Sequence, residues 1–313
     1  MTYSIKFLNI MILALIFLNT RPSAAAECIG VVTAGGGQGY WRSVIKGAVQ
    51  AGRELDIRIY GRGAIDESNV TGQGRIIETA IKLGCTGLVL APNSEDQKKV
   101  VSQLKEQGIP TVYIDRDIGG DRVSVIKTDN FVAGENAAME MAKALRDKGK
   151  IALLRMNENV VATTSRENGF IKAATSKGLE IVIDQYIGTR IGDARNKAYE
   201  ILKESPDIDG IFTPNESTTV AVIKALEKLE KSGKVLHIGF DAPQIVINAL
   251  KSHHIYGFIV QNPFQMGYQG VYTVHDALHG KVVEQEVNTD AVFISRENIN
   301  HAQIKEILRL QLD

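Results

Sequence analysis

Six polar side chains stand at the exits of successive apolar runs: Asp115 and Arg116, Arg166, Asn215, Asp241 and Gln261. The run 111–114 leads to Asp115-Arg116, 210–213 to Asn215, 236–240 to Asp241 and 255–260 to Gln261. Arg166 follows the run 150–156 through a loop and opens a helix. Carboxylates only accept hydrogen bonds, guanidiniums only donate them, and amides do both, which together is the inventory that pairs with the hydroxyls of a polyhydroxyl ligand. In an open α/β sheet, ligands bind outside the carboxyl ends of the strands, so residues placed this way converge on one crevice.

The elements that must position them alternate regularly. After a first strand at 29–33, strands are expected at 55–60, 88–91, 110–114, 150–156, 181–186, 210–213, 235–240 and 255–260. Helices are expected between and after them at 41–52, 74–83, 94–107, 133–148, 166–177, 193–204, 218–231, 244–251 and 264–278. Alternation of this kind predicts parallel sheets with helices on both faces. Residues 84–93 and 209–215 echo one another, each carrying a strand that ends in Pro-Asn before a helix. Two similar doubly wound α/β lobes fit that echo better than one oversized sheet.

A chain of 313 residues, 44% of them hydrophobic, can bury a sizeable core and is long enough for two domains. Lysine plus arginine equals aspartate plus glutamate at 36 each, and a nucleic-acid partner would favour a basic excess. The N-terminus carries Lys6, an apolar run over 7–18 and the small residues Ser23-Ala24-Ala25-Ala26, the pattern of a cleaved export signal spanning 1–26. Two cysteines remain beyond it, Cys28 and Cys85, each just before a strand. If those strands are parallel neighbours the cysteines fall level, and an oxidising compartment favours a disulfide; two buried free thiols are the other reading.

The motifs Ile114-Asp115-Arg116, Arg166-Glu167-Asn168-Gly169-Phe170, Thr213-Pro214-Asn215-Glu216, Gly239-Phe240-Asp241 and Gln261, in this order, resemble the periplasmic sugar-binding proteins of the ribose-binding type. That family also includes the effector domains of lactose-repressor-like regulators. The resemblance covers nearly all of the chain after the signal. It implies two lobes, 27–128 plus 262–289 and 129–261 plus 290–313, joined by a three-segment hinge with crossings near 127–130, 261–263 and 288–291. It also implies a periplasmic monomer with no cofactor and no catalytic chemistry, which binds a monosaccharide between its lobes. The partner is the membrane permease of an ABC importer or, alternatively, a chemoreceptor or histidine kinase.

The same resemblance makes Asp115, Arg116, Arg166, Asn215, Asp241 and Gln261 ligand contacts. It adds Tyr40 and Trp41 as aromatics that sandwich the sugar ring, and Gln38 where the family has a sugar-bonding asparagine. In the second lobe, where ribose-type members often carry another aromatic, this chain reads Gly188-Thr189-Arg190-Ile191-Gly192. Arg190 is therefore a further ligand candidate, pointing to a larger or acidic ligand, with a solvated loop residue as the alternative.

Other chemistries fare worse. The stretch Ala34-Gly35-Gly36-Gly37-Gln38-Gly39 follows a strand, but its glycine spacing is not that of a dinucleotide loop, and the second strand ends without an acidic residue. His253 and His254 are adjacent and point apart, and the other histidines read as scattered without ligand spacing, so no metal is expected. No G-x-S-x-G nucleophile motif is present. An export signal stands where a repressor would carry its helix-turn-helix.

Overall fold

The computed structural model describes residues 27–205 and 207–312. The expected export signal at 1–26 lies outside the described residues. Along the chain run β1 (Cys28–Thr33), α1 (Gly39–Leu55), β2 (Arg58–Gly63), α2 (Val70–Lys82), β3 (Gly87–Leu90), α3 (Gln97–Glu106), β4 (Thr111–Ile114) and β5 (Ser124–Thr128). There follow α4 (Asn130–Leu145), β6 (Gly149–Arg155), α5 (Val161–Ser176), β7 (Leu179–Tyr186), α6 (Ile191–Glu204), β8 (Gly210–Phe212), α7 (Glu216–Lys228) and β9 (Leu236–Phe240). The chain ends with α8 (Gln244–Lys251), β10 (Gly257–Val260), α9 (Pro263–Leu278), β11 (Glu286–Thr289), β12 (Val292–Ser295) and α10 (Ala302–Leu312).

These elements form two α/β lobes. The first is built on a six-stranded sheet of order β11-β5-β4-β3-β1-β2, the second on one of order β12-β10-β9-β8-β6-β7. The orders correspond strand for strand; they differ at one edge, where β11 pairs parallel to β5 and β12 antiparallel to β10. The chain passes between the sheets after β5, after β10 and after β11. Among the described residues no helix is long and apolar enough to cross a membrane.

Each sheet is covered on both faces. In the first lobe Val31 and Val89 pack with α1 and α9, while Val32, Leu88 and Leu90 pack on the other face with α2 and α3. Strands buried on both sides read as continuous apolar runs, which is why β1, β3 and β4 were legible. In the second lobe Phe170 of α5 stacks on Phe212 at 4.1 Å between ring centroids, and Phe212 meets Phe240 edge-on at 5.9 Å. The helices crossing that face approach closely because two glycines meet there. A Cβ at Gly134 would lie 1.8 Å from the Arg166 carbonyl oxygen, and one at Gly169 would lie 2.0 Å from that of Phe131. This contact seats α5, and with it Arg166, against the start of α4.

Several elements depart from the expectation. Helix α1 continues to Leu55, where a strand was expected to begin. Asp56, left-handed at φ 55°, ends it by returning its N–H to Gly52 O, so β2 starts only at Arg58. Helix α5 starts at Val161, so Arg166 lies inside the helix rather than at its start. Its buried face carries the polar residues Thr163, Arg166 and Glu167 beside Ala162 and Phe170, so apolar periodicity does not mark the first turns of the helix. Strands β5, β11 and β12 and helix α10 were not anticipated. The strands are short, and two lie at sheet edges, as with the half-exposed polar strand Glu286–Thr289, whose partner is decided by the neighbouring strand.

Strands β1 and β3 are parallel neighbours with Ile29 opposite Gly87, and Thr86 N–H donates to Cys28 O at 2.9 Å. Cys28 and Cys85 are disulfide-bonded across this end of the sheet, with 4.2 Å between their Cα atoms and 57 residues of separation. A loop of that length corresponds to about 4 kcal/mol of stabilisation in the chain-entropy model.

Candidate functional site

The C-terminal ends of β4 and β9, which hold corresponding places in the two sheets, face one another across the cleft. Each exit carries an aspartate in the left-handed region, Asp115 at φ 67° and Asp241 at φ 66°. In each case the aspartate N–H donates to the next strand, Asp115 to Ile126 O at 2.9 Å and Asp241 to Ile259 O at 2.8 Å. A non-glycine residue there costs roughly 1–2 kcal/mol, least for Asp and Asn, and such strain clusters where a side chain must be aimed. The two carboxylates are aimed into one cavity, lined also by Gln38, Tyr40, Trp41, Arg116, Arg166, Asn215 and Gln261.

The first lobe contributes a guanidinium held between carboxylates. Arg116 donates to Glu67 Oε2 at 2.8 Å and to Asp115 Oδ2 at 3.0 Å. Burial disfavours its charge, but the two carboxylates more than offset this and hold it above its usual range. Trp41, 1% exposed, donates Nε1–H to Glu67 at 3.2 Å and lies 5.6 Å beneath the Arg116 guanidinium. Tyr40 donates its hydroxyl to Asp115 Oδ1 at 2.6 Å; burial and the charges of Asp115 and Asp241 raise its pKa well above normal, so it stays a donor. The rings of Tyr40 and Trp41 meet at 88°. Perpendicular rings cannot both lay their faces on one flat ligand, and the Tyr40 hydroxyl is turned to Asp115.

The second lobe contributes the other guanidinium. Arg166 donates to Asn130 Oδ1 at 2.5 Å, to Gln261 Oε1 at 2.9 Å and to Pro214 O, and lies 4.0 Å over the Phe240 ring. Asp241 accepts from Glu216 N–H and from Gln261 Nε2, both at 2.8 Å. Burial pushes the Asp241 carboxyl up to about 7 despite the opposing charge of Arg166. Asn215 serves two ends at once. It caps α7 in a capping box with Thr218, taking the Thr218 N–H at 3.2 Å, and also lines the cavity.

Residues that the sequence did not single out complete the wall: Glu67, Met156, Ala162, Thr163 and Glu216. Glu216 bridges the lobes. Its carboxylate accepts from Gly39 N–H at 3.2 Å and from Tyr40 N–H at 3.0 Å, at the start of α1. The N-cap Gln38 makes no side-chain cap there, so two of the orphan N–H groups of α1 are satisfied from the opposite lobe. Burial raises the Glu216 pKa, and those two N–H groups hold it back.

Arg190 is corrected. It is not among the cavity's lining residues; it donates to Asp66 of the first lobe at 2.9 Å and its side chain is 65% exposed. With Arg190 outside, the cavity holds four carboxylates (Glu67, Asp115, Glu216, Asp241) against two guanidiniums, a balance that disfavours an acidic ligand. The Arg190–Asp66 pair is open to solvent, which screens it, so it contributes little. Arg190→Ala is therefore expected to leave the preference between neutral and acidic sugars unchanged and to weaken binding by no more than about fivefold, as read by calorimetry.

A family model described as periplasmic binding protein domain matches residues 29–282. The chain is 29% identical over 215 residues to the ribose import binding protein of Bacillus subtilis, covering 68% of this chain and 69% of that one. It superposes with a TM-score of 0.85, at 28% identity, on a carbohydrate transporter solute-binding protein of Agrobacterium radiobacter in complex with D-arabinose, covering 91% and 100% of the two chains. With the periplasmic component of an ABC-type sugar transport system from Hahella chejuensis it shares 33% identity and a TM-score of 0.81, over 86% and 100%. Paired carboxylates and guanidiniums at the mouths of two matched sheets, together with these likenesses, place the chain in the periplasmic binding protein domain family, among its sugar-binding proteins of the ribose-binding type.

Proposed function

We propose that the chain captures one neutral monosaccharide between its lobes in the periplasm and delivers it to the permease of an ABC importer. The observation that carries this reading is the matched pair Asp115 and Asp241, one from each lobe, each beside a buried guanidinium. Ligand hydroxyls donate to the carboxylates while their oxygens accept from Arg116 and Arg166, charge-assisted bonds worth about 1.5–3 kcal/mol each. The ring's apolar face rests on Trp41. The lobes, 27–128 plus 262–289 and 129–261 plus 290–313, close on a hinge of three crossings, because contacts on both sides of the ligand exist only in the closed state. The protein acts as a monomer and carries out no bond-making step. The ribose import binding protein and the arabinose-bound solute-binding protein are relatives whose names support a pentose-sized ligand.

A thermal-shift panel of pentoses, hexoses, deoxysugars, polyols and sugar acids tests the reading. A true ligand at a hundredfold over its Kd adds about 2.7 kcal/mol of stability, and Trp41 fluorescence should change with the same sugar. Silence across the whole panel sinks the proposal; a shift with sugar acids alone removes the preference for a neutral ligand.

A further inference from the structure

The first lobe carries a second cluster of ligating side chains, at the opposite end of the sheet from the cleft. His275 and His279 are four residues apart at the end of α9, so they share a face, and their rings lie 4.2 Å apart. The expectation that the histidines lack ligand spacing overlooked this pair. Glu27, just before β1, brings a carboxylate to the same place, and one ligand atom from each of the three lies within 4.8 Å of the others. We propose that Glu27, His275 and His279 form a binding site for a divalent transition-metal ion of the zinc class, with the remaining coordination position open to water.

The surroundings already orient the ligands. His279 Nδ1 lies 2.8 Å from the His275 backbone oxygen, and donating its proton there leaves Nε2 with the free lone pair, the arrangement a metal-bound imidazole requires. His275 Nδ1 is buried without a hydrogen-bond partner, with an Asp276 carboxylate oxygen 3.7 Å away. Asp276 is itself neutralised by Lys281 at 2.7 Å. The backbone on both sides is fixed. Glu27 O accepts from Arg58 N–H at 2.8 Å, the next residue is tied by the Cys28–Cys85 disulfide, and Val274 packs where Gly87 leaves room for it on β3. Two imidazoles with one carboxylate suit zinc, copper or nickel, whereas calcium and magnesium seek all-oxygen shells. A bound ion would staple the first strand to a helix from the far end of the lobe's chain, without touching the cleft.

The test uses the untagged full chain after chelator treatment, titrated with zinc chloride by calorimetry and followed by thermal melting. One equivalent bound and a raised Tm are expected, with calcium and magnesium giving neither. His275→Ala/His279→Ala is expected to weaken zinc binding at least tenfold and to abolish the Tm rise, and Glu27→Gln to weaken it measurably, while circular dichroism of the metal-free variants matches the parent. No binding by the parent, an equal response to magnesium, or unchanged titration in the double variant overturns the site. None of these outcomes depends on sugar binding.

Discussion

Asp241→Asn is expected to bind the sugar at least tenfold more weakly than the parent and to lose the parent's dependence of affinity on pH. The residue is 5% exposed, and burial between the lobes lifts its pKa to about 7. Ligand hydroxyls that donate to it favour the ionised form, so binding must drive off its proton whenever the pH lies below that value. Affinity should therefore fall by about tenfold between pH 8 and pH 6 in the parent and stay flat in the variant. Asparagine tolerates the left-handed backbone at this position, so the substitution tests charge rather than strain.

The same group affects stability with the opposite sign. Between an unfolded value of about 3.9 and the folded value of about 7, the folded chain holds the extra proton. Stability without ligand should thus fall as the pH rises through that window. Glu167, likewise pushed up to about 7 by burial, contributes to the same slope, so the variant should flatten it only in part. Equal sugar affinity in parent and variant at pH 8 would remove Asp241 from the ligand's contacts.

The second large effect is expected from Glu216→Gln. Two charge-assisted bonds from the start of α1 end on this carboxylate, and they exist only while the lobes are together. Loss of the charge and of one of the two acceptor oxygens should weaken every bound sugar by a similar factor, of order tenfold for about 1.4 kcal/mol. Because the latch forms after capture, the loss should fall on the dissociation rate, with the association rate changed by less than about threefold. Stopped-flow fluorescence of Trp41 across several sugars separates this from direct ligand contact. A penalty confined to one epimer would make Glu216 a recognition residue, and an unchanged dissociation rate would end the latch reading.

Much of this site was legible because the strand-exit rule is local. An apolar run buried on both faces announces a strand, and the polar residue after it must sit at the mouth of the sheet. Asp115, Arg116, Asn215, Asp241 and Gln261 were found that way and line the cavity. Glu216 stood inside the quoted motif Thr213-Pro214-Asn215-Glu216 and was passed over, since nothing nearby in the chain shows a partner 177 residues away. Glu67 follows β2 in a short loop without periodicity, and only its bonds to Trp41 and Arg116 reveal it. Arg190 was drawn in by its charge and by a missing aromatic; the folded chain spends that charge on Asp66 instead.

The order of the central strands and helices, the two-lobe architecture and the polar character of the strand exits thus follow from patterns spanning a few residues, because periodicity and turn chemistry act over that range. The tertiary structure alone decided which guanidinium lies between which carboxylates and how far burial raises Asp241. It also decided that the Tyr40 hydroxyl is turned to Asp115, and that α1 is capped from the opposite lobe. Those properties depend on desolvation and on distances between groups remote in the chain, and both come into being only when the two lobes meet.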